Sequence, residues 1–392
     1  MSHVNESIIS CFRRQVENDG GKIAISWSNG NMDYSELDIL SNQMANVLID
    51  QFEIEESDFV AVMLPKSETL IAIIIAVLKC EASYVPIDPN CPLEKKEFIL
   101  KDTFCKLIID EKFLNQYITT FRHAKKATPI TTTGNISIVN IMYTSKFKEK
   151  YIGVMVQDNN VLSLLKSCNK NFELSSKDSW LLYHSYSTDF SIWEIFGCLL
   201  NGGNLVLVNE EETQNSTSYV RSMNDHHVTI FGQTSSQFCD FVDSGIEVPS
   251  LRYVILRGKI SCASKIREWS KKHPQVHLFK IYGNTETTVF TTLKKLTWDT
   301  AVRYSLNNIG KPLPLVRCYV VNKKLEVLPY GCAGELCVGG DGVTYGYLNN
   351  PQLDKKHFVD DLFFGQGKMY RTGDLVRFLF TGELEYLGKM KY

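Results

Sequence analysis

The chain has 392 residues, a formal net charge of −2 and 44% hydrophobic residues. This length is too great for one simple core and predicts two or three packed units, while a charge so close to neutral gives no general attraction to nucleic acid or to an anionic membrane. The eleven cysteines show no C-x-x-C pair and no zinc-like spacing, so we expect buried thiols in a reducing compartment.

The N-terminal segment predicts an amphipathic helix and not a secretory signal. Its apolar residues recur at helical spacing between polar ones; they are Ile8, Ile9, Phe12 and Val16. The longest apolar run, residues 70–78, is far too short to cross a bilayer and predicts a core helix. We therefore expect a cytoplasmic protein with no membrane partner.

Short apolar runs alternate with helical patterns through the first three hundred residues or so. Examples of such runs are residues 59–64, 106–109, 204–208 and 252–256. Continuous apolar strands with intervening helices are typical of parallel, doubly wound α/β sheets that are covered on both faces. After about residue 309, short alternating strands and glycine turns predict a smaller β-rich unit. The predicted boundaries divide the chain into residues 1–165, 166–305 and 306–392.

Two motifs carry most of the information about function. Residues 281–288 read I-Y-G-N-T-E-T-T, and residues 370–375 read Y-R-T-G-D-L. Alone, the first motif would be typical of a surface turn, but together the two resemble the paired signatures of adenylate-forming enzymes, in that family's order and spacing. By this resemblance the chain is similar to the large lobe of an adenylation domain from a nonribosomal peptide synthetase. The resemblance implies two doubly wound, mostly parallel sheets with flanking helices and a smaller C-terminal β subdomain.

The resemblance also implies ATP and Mg²⁺ as cofactors and assigns roles to four residues of these motifs. Tyr282 would stack on adenine, Thr285 would contact phosphate, and Glu286 would bind the metal, since a hard cation prefers carboxylate oxygen. Thr285 and Glu286 would thereby be the catalytic pair. Asp374 would accept hydrogen bonds from both ribose hydroxyls, which suits one carboxylate with two oxygens. Four further residues match nucleotide-binding positions; they are Thr144, Ser145, Gly258 and Arg377.

A third segment, residues 185–197, is similar to the stretch that builds the amino-acid pocket of these domains. Asp189 matches the residue that holds the α-ammonium group of the substrate. A carboxylate suits this role because a partly buried cation is costly unless it is paired. On its own, Asp189 would be interpreted as a helix cap, and the two roles are compatible. The resemblance places the following residues at the walls of the side-chain cavity: Phe190, Trp193, Gly232, Ile255, Arg257, Ile281, Val289 and Phe290.

The identity of the substrate is a weaker prediction. Asp189, Phe190 and Trp193 resemble the first pocket residues of domains that select threonine or another small polar amino acid. Arg257 stands where the family has a small residue, and Lys259 stands where it commonly has an acid. These two cations either favour a substrate that carries a carboxylate, fill the cavity or face solvent; we expect one of the latter two.

Two departures from the family pattern concern catalysis. Residues 144–153 align with a phosphate loop but lack two of its three glycines, its proline and its motif lysine, so that few backbone N–H groups converge on phosphate. The lysine-rich run there is expected to be a solvated loop. Residues 386–392 resemble the start of a hinge before a small mobile lobe, whose catalytic lysine lies outside this sequence. Because one lost preorganised donor typically costs about a hundredfold in rate, we expect weak adenylation at best.

The predicted function is ATP-dependent activation of an amino acid as aminoacyl-AMP, followed by transfer to the phosphopantetheine thiol of a carrier protein. A small MbtH-like helper protein, which some bacterial relatives require, is a further expected partner, and nucleic acid is not. The chief alternative is a degenerate, non-catalytic relative that acts as a scaffold or docks carrier proteins. A second alternative, an acyl-CoA synthetase, shares the nucleotide motifs, but Asp189 argues against it because a fatty or aryl acid has no ammonium group to pair.

Overall fold

The computed structural model describes residues 6–123, 138–145, 151–260, 262–299 and 307–390, which form an α/β fold. Its helices are α1 Ile8–Asp19, α2 Tyr34–Phe52, α3 Glu68–Lys79, α4 Leu93–Thr103, α5 Glu111–His123, α6 Asp158–Asn169, α7 Phe190–Leu199, α8 Glu210–Gln214, α9 Ser216–Asp225, α10 Ser235–Asp243, α11 Ala263–Lys272 and α12 Pro351–His357. Its strands are β1 Ile23–Trp27, β2 Gly30–Asp33, β3 Phe59–Met63, β4 Ser83–Pro86, β5 Leu107–Asp110, β6 Ile138–Thr144, β7 Ile152–Gln157, β8 Ser179–Leu182, β9 Asn204–Leu207, β10 Ile230–Thr234, β11 Tyr253–Arg257, β12 His277–Tyr282, β13 Thr292–Leu296, β14 Asn308–Pro312, β15 Val316–Val321, β16 Gly334–Gly340, β17 Gly346–Tyr347, β18 Phe358–Asp360, β19 Lys368–Phe378 and β20 Leu384–Lys389.

The smaller of the two sheets has the strand order β17-β7-β6-β4-β3-β5. Strand β3 pairs in parallel with β4 and β5, and β4 pairs in parallel with β6. Strand β3, which lies between β4 and β5, contributes Val60, Ala61 and Val62, all fully buried, as a parallel strand covered on both faces requires. The predicted core helix is α3, whose residues 70–78 are buried.

The larger sheet combines a parallel centre with an antiparallel extension. The strands β9, β8, β10, β11 and β12 run parallel, and β12 then pairs antiparallel with β13. Beyond β13 the order continues through β14, β20, β19 and β16 to β15. In the centre, Arg257 lies opposite both Thr234 and Ile281, so the carboxyl ends of β10, β11 and β12 are level. Such an edge is where open α/β sheets bind ligands.

The predicted fold class is confirmed: mixed sheets with flanking helices are followed by a strand-rich C-terminal part. The first helix also forms as expected, with Ser7 in a capping box and Ile8, Ile9 and Phe12 buried. No helix in the described ranges is long and apolar enough to cross a membrane. The two domain boundaries, near residues 165 and 305, stay a prediction. Across them, β1 hydrogen-bonds to β9 of the larger sheet, and β17 hydrogen-bonds to β7 of the smaller one.

The expectation of free thiols holds for nine of the eleven cysteines and fails for one pair. Cys239 of α10 and Cys262, which precedes α11, form a disulfide with their Cα atoms 6.6 Å apart. This separation lies within the usual disulfide range. The other nine cysteines are free thiols, of which five are buried. A 23-residue separation between the two paired cysteines gives no local spacing signal from which the pairing could be predicted.

Candidate functional site

A cleft of about 520 Å³ lies between the carboxyl ends of β11 and β12 and the strands β19 and β20. The end of β11 and the residues after it, together with residues of β12, β19 and β20, line its walls; among them are Arg257, Gly258, Lys280, Tyr282 and Asp374. Gly258 has a φ of 86°, a left-handed conformation that glycine adopts without strain. Parts of both sequence motifs therefore face one another across this cleft.

A bulge in β19 aims Asp374 into the cleft. Between the pairs Cys337–Arg371 and Glu335–Leu375, β19 has three intervening residues where β16 has one, an arrangement that redirects a side chain out of the sheet. Gly373 has a φ of 68° there, and the backbone N–H of Asp374 donates to Thr372 Oγ1 at 3.0 Å. The motif at residues 370–375 is thus a local distortion that presents a carboxylate.

Asp374 is held from two sides. The Tyr282 hydroxyl donates to its Oδ2 at 2.5 Å, and Lys389 Nζ lies 2.6 Å from its Oδ1. Burial raises the pKa of Tyr282 well above its ordinary value, and the charge of Asp374 raises it further. The tyrosine is therefore a neutral hydrogen-bond donor, and the carboxylate keeps a fixed orientation at the cleft wall.

Glu286 lies deeper, in the one-turn 3₁₀ helix Thr285–Thr287, and is 1% exposed. Two hydroxyls donate to its Oε1, from Tyr347 at 2.8 Å and from Tyr370 at 2.7 Å. Burial and the Glu286 charge raise the pKa of both tyrosines. Tyr370 opens the second sequence motif, so this hydrogen bond joins the two motifs directly.

Asp189 forms a two-pronged ion pair with Arg257. Arg257 Nη2 donates to Asp189 Oδ2 at 2.9 Å, and Nη1 donates to Oδ1. The Thr285 hydroxyl donates to Oδ2 at 2.9 Å. Burial alone would raise the pKa of Asp189, but Arg257 and the Thr285 hydrogen bond hold it below its usual range. Although Asp189 precedes α7, its side chain makes no capping hydrogen bond to that helix.

The two unusual cations behave differently from each other. Lys259 is exposed at the cleft, as expected for a solvent-facing residue. Arg257 follows neither expectation, because it forms an ion pair with Asp189. Its side chain is 30% exposed, and that of Asp189 is 6% exposed. The pairing also raises the pKa of Arg257, chiefly through the charge of Asp189.

The residues predicted to form the walls of a side-chain cavity pack against one another. The Phe290 ring lies 5.2 Å from Trp193 and 5.7 Å from Phe190, and these two rings are 5.7 Å apart. A Cβ added at Gly232 would lie 2.3 Å from a ring carbon of Phe190. The remaining predicted walls are at most 1% exposed; they are Ile255, Ile281 and Val289. These residues converge, and they leave little room beside Phe190.

Several predicted site residues do not line the cleft. Asp189, Thr285 and Glu286 lie behind it and reach it through the segment 282–286. Arg377 Nε donates to Glu385 at 2.7 Å, and Arg377 does not line the cleft. Thr144 ends β6 and Ser145 follows it, and neither lines the cleft. The degenerate phosphate loop predicted at residues 144–153 includes residues 146–150, which lie outside the described residues.

Sequence reasoning missed Lys280 and the two tyrosines on Glu286. Lys280 lies on the same face of β12 as Tyr282, two positions away, which is a signal that strand periodicity offers. It is 4% exposed, and its Nζ donates to the Asn308 carbonyl at 3.1 Å. Burial lowers the pKa of Lys280 from 10.5 to about 8. The cleft thus carries a buried cation whose charged form is disfavoured by the fold.

Lys280→Met is expected to stabilise the protein at pH 7 by about 2 kcal/mol, because the lowered pKa of Lys280 corresponds to a cost of about 3 kcal/mol and the lost hydrogen bond to the Asn308 carbonyl offsets about 1 kcal/mol. The unfolded chain holds the Lys280 proton up to about pH 10.5, whereas the folded chain releases it near pH 8, so the unfolding free energy of the wild type rises between these values. The advantage of the variant should therefore shrink as the pH rises from 8 to 10. Urea titrations of both proteins at pH 7, 8.5 and 10 measure this, and an advantage independent of pH would contradict it.

A magnesium ion carried by a nucleotide fits the donor set at Glu286. Such ions are usually bound through one or two carboxylates together with substrate phosphates, and Glu286 offers a carboxylate oriented by two hydroxyls. Within the described part of the chain, no group of three or more His, Cys, Asp or Glu residues is placed to hold a metal ion. A metal at Glu286 would therefore need the phosphates of a nucleotide as further ligands.

The short segment 282–286 connects three carboxylates. Tyr282 bonds Asp374, Thr285 bonds Asp189, and Glu286 belongs to the segment itself. The separations along the chain are 92 residues for the first pair and 96 for the second. The arrangement provides a nucleoside-sized cleft at one end, a buried ion pair at the other, and a third acid between them.

Known proteins resemble this chain over most of its length. Residues 12–348 match the AMP-binding enzyme family. The chain is 32% identical to a dimodular nonribosomal peptide synthase of Bacillus subtilis over 96% of its own length and 17% of that protein. It is 30% identical to tyrocidine synthase 1 of Brevibacillus parabrevis over 99% of its own length and 36% of that protein. The chain thus spans about a sixth to about a third of these curated relatives.

Solved structures have the same fold. The nonribosomal peptide synthetase FmoA3 superposes with a TM-score of 0.90 at 22% identity, over 98% of this chain and 42% of that one. The N-terminal subdomain of Klebsiella oxytoca NpsA, solved in complex with 3-hydroxyanthranilyl-AMSN, superposes with a TM-score of 0.88 at 21% identity. That match covers 98% of this chain and 100% of the NpsA subdomain.

Proposed function

Because this chain belongs to the AMP-binding enzyme family, we propose that it activates a small amino acid, or an analogue of one, as an acyl-adenylate for nonribosomal peptide synthesis. The substrate carboxylate attacks the α-phosphorus of ATP, the bond to the β-phosphate oxygen breaks, and acyl-AMP and pyrophosphate leave. One observation carries the proposal: the segment 282–286 contains Glu286 and is hydrogen-bonded both to Asp189 and to Asp374, which lines the cleft.

In this proposal the residues of the chain bind and orient, and none acts as a nucleophile. The Asp374 carboxylate, held by Tyr282, accepts the ribose hydroxyls, and the Tyr282 ring lies against adenine. Glu286, fixed by Tyr347 and Tyr370, faces the phosphates and would hold magnesium, which lowers the repulsion between the substrate carboxylate and the triphosphate. Reactions of this type depend on positioning and on charge stabilisation more than on covalent help from the protein.

The partners of the proposed reaction follow from the family. The acyl group passes from AMP to the phosphopantetheine thiol of a carrier protein, which forms a thioester and releases AMP. A small MbtH-like helper protein remains a prediction. A threonine-like substrate was predicted from Asp189, Phe190 and Trp193, and the pairing of Asp189 with Arg257 opposes that choice.

Acid-dependent exchange of labelled pyrophosphate into ATP tests the proposal. We expect slow exchange from this chain and at least tenfold faster exchange after fusion to the small lobe of a relative, because that lobe contributes the catalytic lysine. ATP should also raise the melting temperature of the chain. If no acid supports exchange in either form and ATP causes no thermal shift, the activity is excluded and the non-catalytic scaffold takes its place.

A further inference from the structure

Arg257 occupies the place where a substrate ammonium group would pair with Asp189. Its two Nη atoms donate to both oxygens of that carboxylate. Thr285 adds a third donor, to Oδ2 at 2.9 Å. The Asp189 side chain is 6% exposed, so the carboxylate is largely shielded from water. The acid that the resemblance assigns to a substrate cation is already neutralised by a cation of the chain itself.

A second cation beside this pair would be unfavourable. A carboxylate has acceptor sites for about four donors, and three of them are used here. An ammonium group at the remaining site would lie within a few ångströms of the guanidinium, in surroundings where charge repulsion is poorly screened. The ammonium would have to displace Arg257 from a fork-to-fork geometry, which is the strongest form of such a pair.

We propose that the acid activated by this chain carries no α-ammonium group, and that Arg257 instead donates to an oxygen on the α-carbon of a hydroxy or keto acid. The inference rests on the proposed function, whose substrate class it narrows. Arg257 has five N–H donors, of which Asp189 takes two, and Arg257 also lines the cleft. An uncharged oxygen acceptor complements that surface without adding positive charge.

The side-chain walls limit the size of the acid. Phe190, Trp193 and Phe290 pack on one another and are at most 1% exposed. The Phe190 ring occupies the space that a Cβ at residue 232 would need. We therefore choose acids with three carbons as probes: lactate for the hydroxy class, pyruvate for the keto class and alanine for the amino class.

The test compares three stable acyl-adenylate mimics, the lactoyl, pyruvoyl and alanyl derivatives of 5′-O-sulfamoyl adenosine, by calorimetry. The unmodified chain should bind the lactoyl or the pyruvoyl mimic at least tenfold more tightly than the alanyl mimic. The tighter of the two separates the hydroxy class from the keto class. Tightest binding of the alanyl mimic, or equal binding of all three, would overturn the inference.

Variants locate the preference at Arg257. Arg257→Ala should shift the ratio towards the alanyl mimic by tenfold or more, because Asp189 is then free to accept an ammonium group. Arg257→Lys keeps the positive charge and should keep the preference. This variant and the unmodified chain can be compared even if Arg257→Ala does not fold. Lys259→Ala removes the exposed cation nearby and should leave the ratio unchanged. An unchanged ratio in Arg257→Ala would show that Arg257 does not set the preference.

The parent nucleoside separates this inference from the proposed function. If 5′-O-sulfamoyl adenosine binds and no acyl group alters its affinity, the inference fails while the nucleotide site stands. If neither the parent nor any mimic binds, the proposed function itself fails, and the substrate inference fails with it.

Discussion

Asp374→Asn should weaken the binding of AMP by about 10- to 100-fold without unfolding the protein. A hydrogen bond to a charged partner contributes about 1.5–3 kcal/mol, and each 1.4 kcal/mol is about tenfold in affinity. The amide keeps one oxygen for the Tyr282 hydroxyl, which bonds Asp374 at 2.5 Å in the native protein. It loses the second acceptor and the charge with which Lys389 pairs at 2.6 Å. Calorimetric titration with AMP measures the loss.

A matched control is available on the neighbouring strand. Asp360 ends β18, is exposed and does not line the cleft, so Asp360→Asn makes the same chemical change away from the cleft and should leave AMP affinity within twofold. Melting temperatures of both variants exclude global damage as the cause. Native AMP affinity in Asp374→Asn would mean that this cleft is not the ribose site, and would remove the main support for the proposed function.

The elements of the fold could be predicted because their signals are local. The apolar run at residues 70–78 became the buried helix α3, and the apolar residues of the first helix face the core. Pairing between distant strands has no such signal. Nothing near Ile23–Trp27 indicates that β1 joins β9, whose residues lie about 180 positions later, because register between distant strands is decided by the packing of the whole sheet.

The candidate site was predictable where a motif is short and contiguous. The segment around Tyr282 and Glu286 and the turn around Asp374 were found from the amino-acid sequence alone, and the structure brings them together. The partner of Asp189 was not predicted, because Arg257 is 68 residues away in the chain. The rotamer of Arg257 determines whether its guanidinium faces solvent or pairs with the carboxylate. Tyr347, 61 residues from Glu286, was missed for the same reason: side-chain hydrogen bonds over such distances leave no periodic trace in sequence.

Glu286→Gln should separate nucleotide binding from catalysis. The substitution keeps the volume and one carbonyl acceptor for the Tyr347 and Tyr370 hydroxyls, which lie 2.8 and 2.7 Å from Oε1, but removes the charge that magnesium requires. We expect unchanged AMP affinity, about tenfold weaker binding of ATP in the presence of Mg²⁺, and at least about 100-fold slower pyrophosphate exchange in the lobe-fused form. Glu211→Gln, an exposed change on α8, should match the native protein in all three assays. Native exchange in Glu286→Gln would exclude Glu286 as the metal ligand, and an equal loss of AMP affinity would assign it a structural role in the cleft instead.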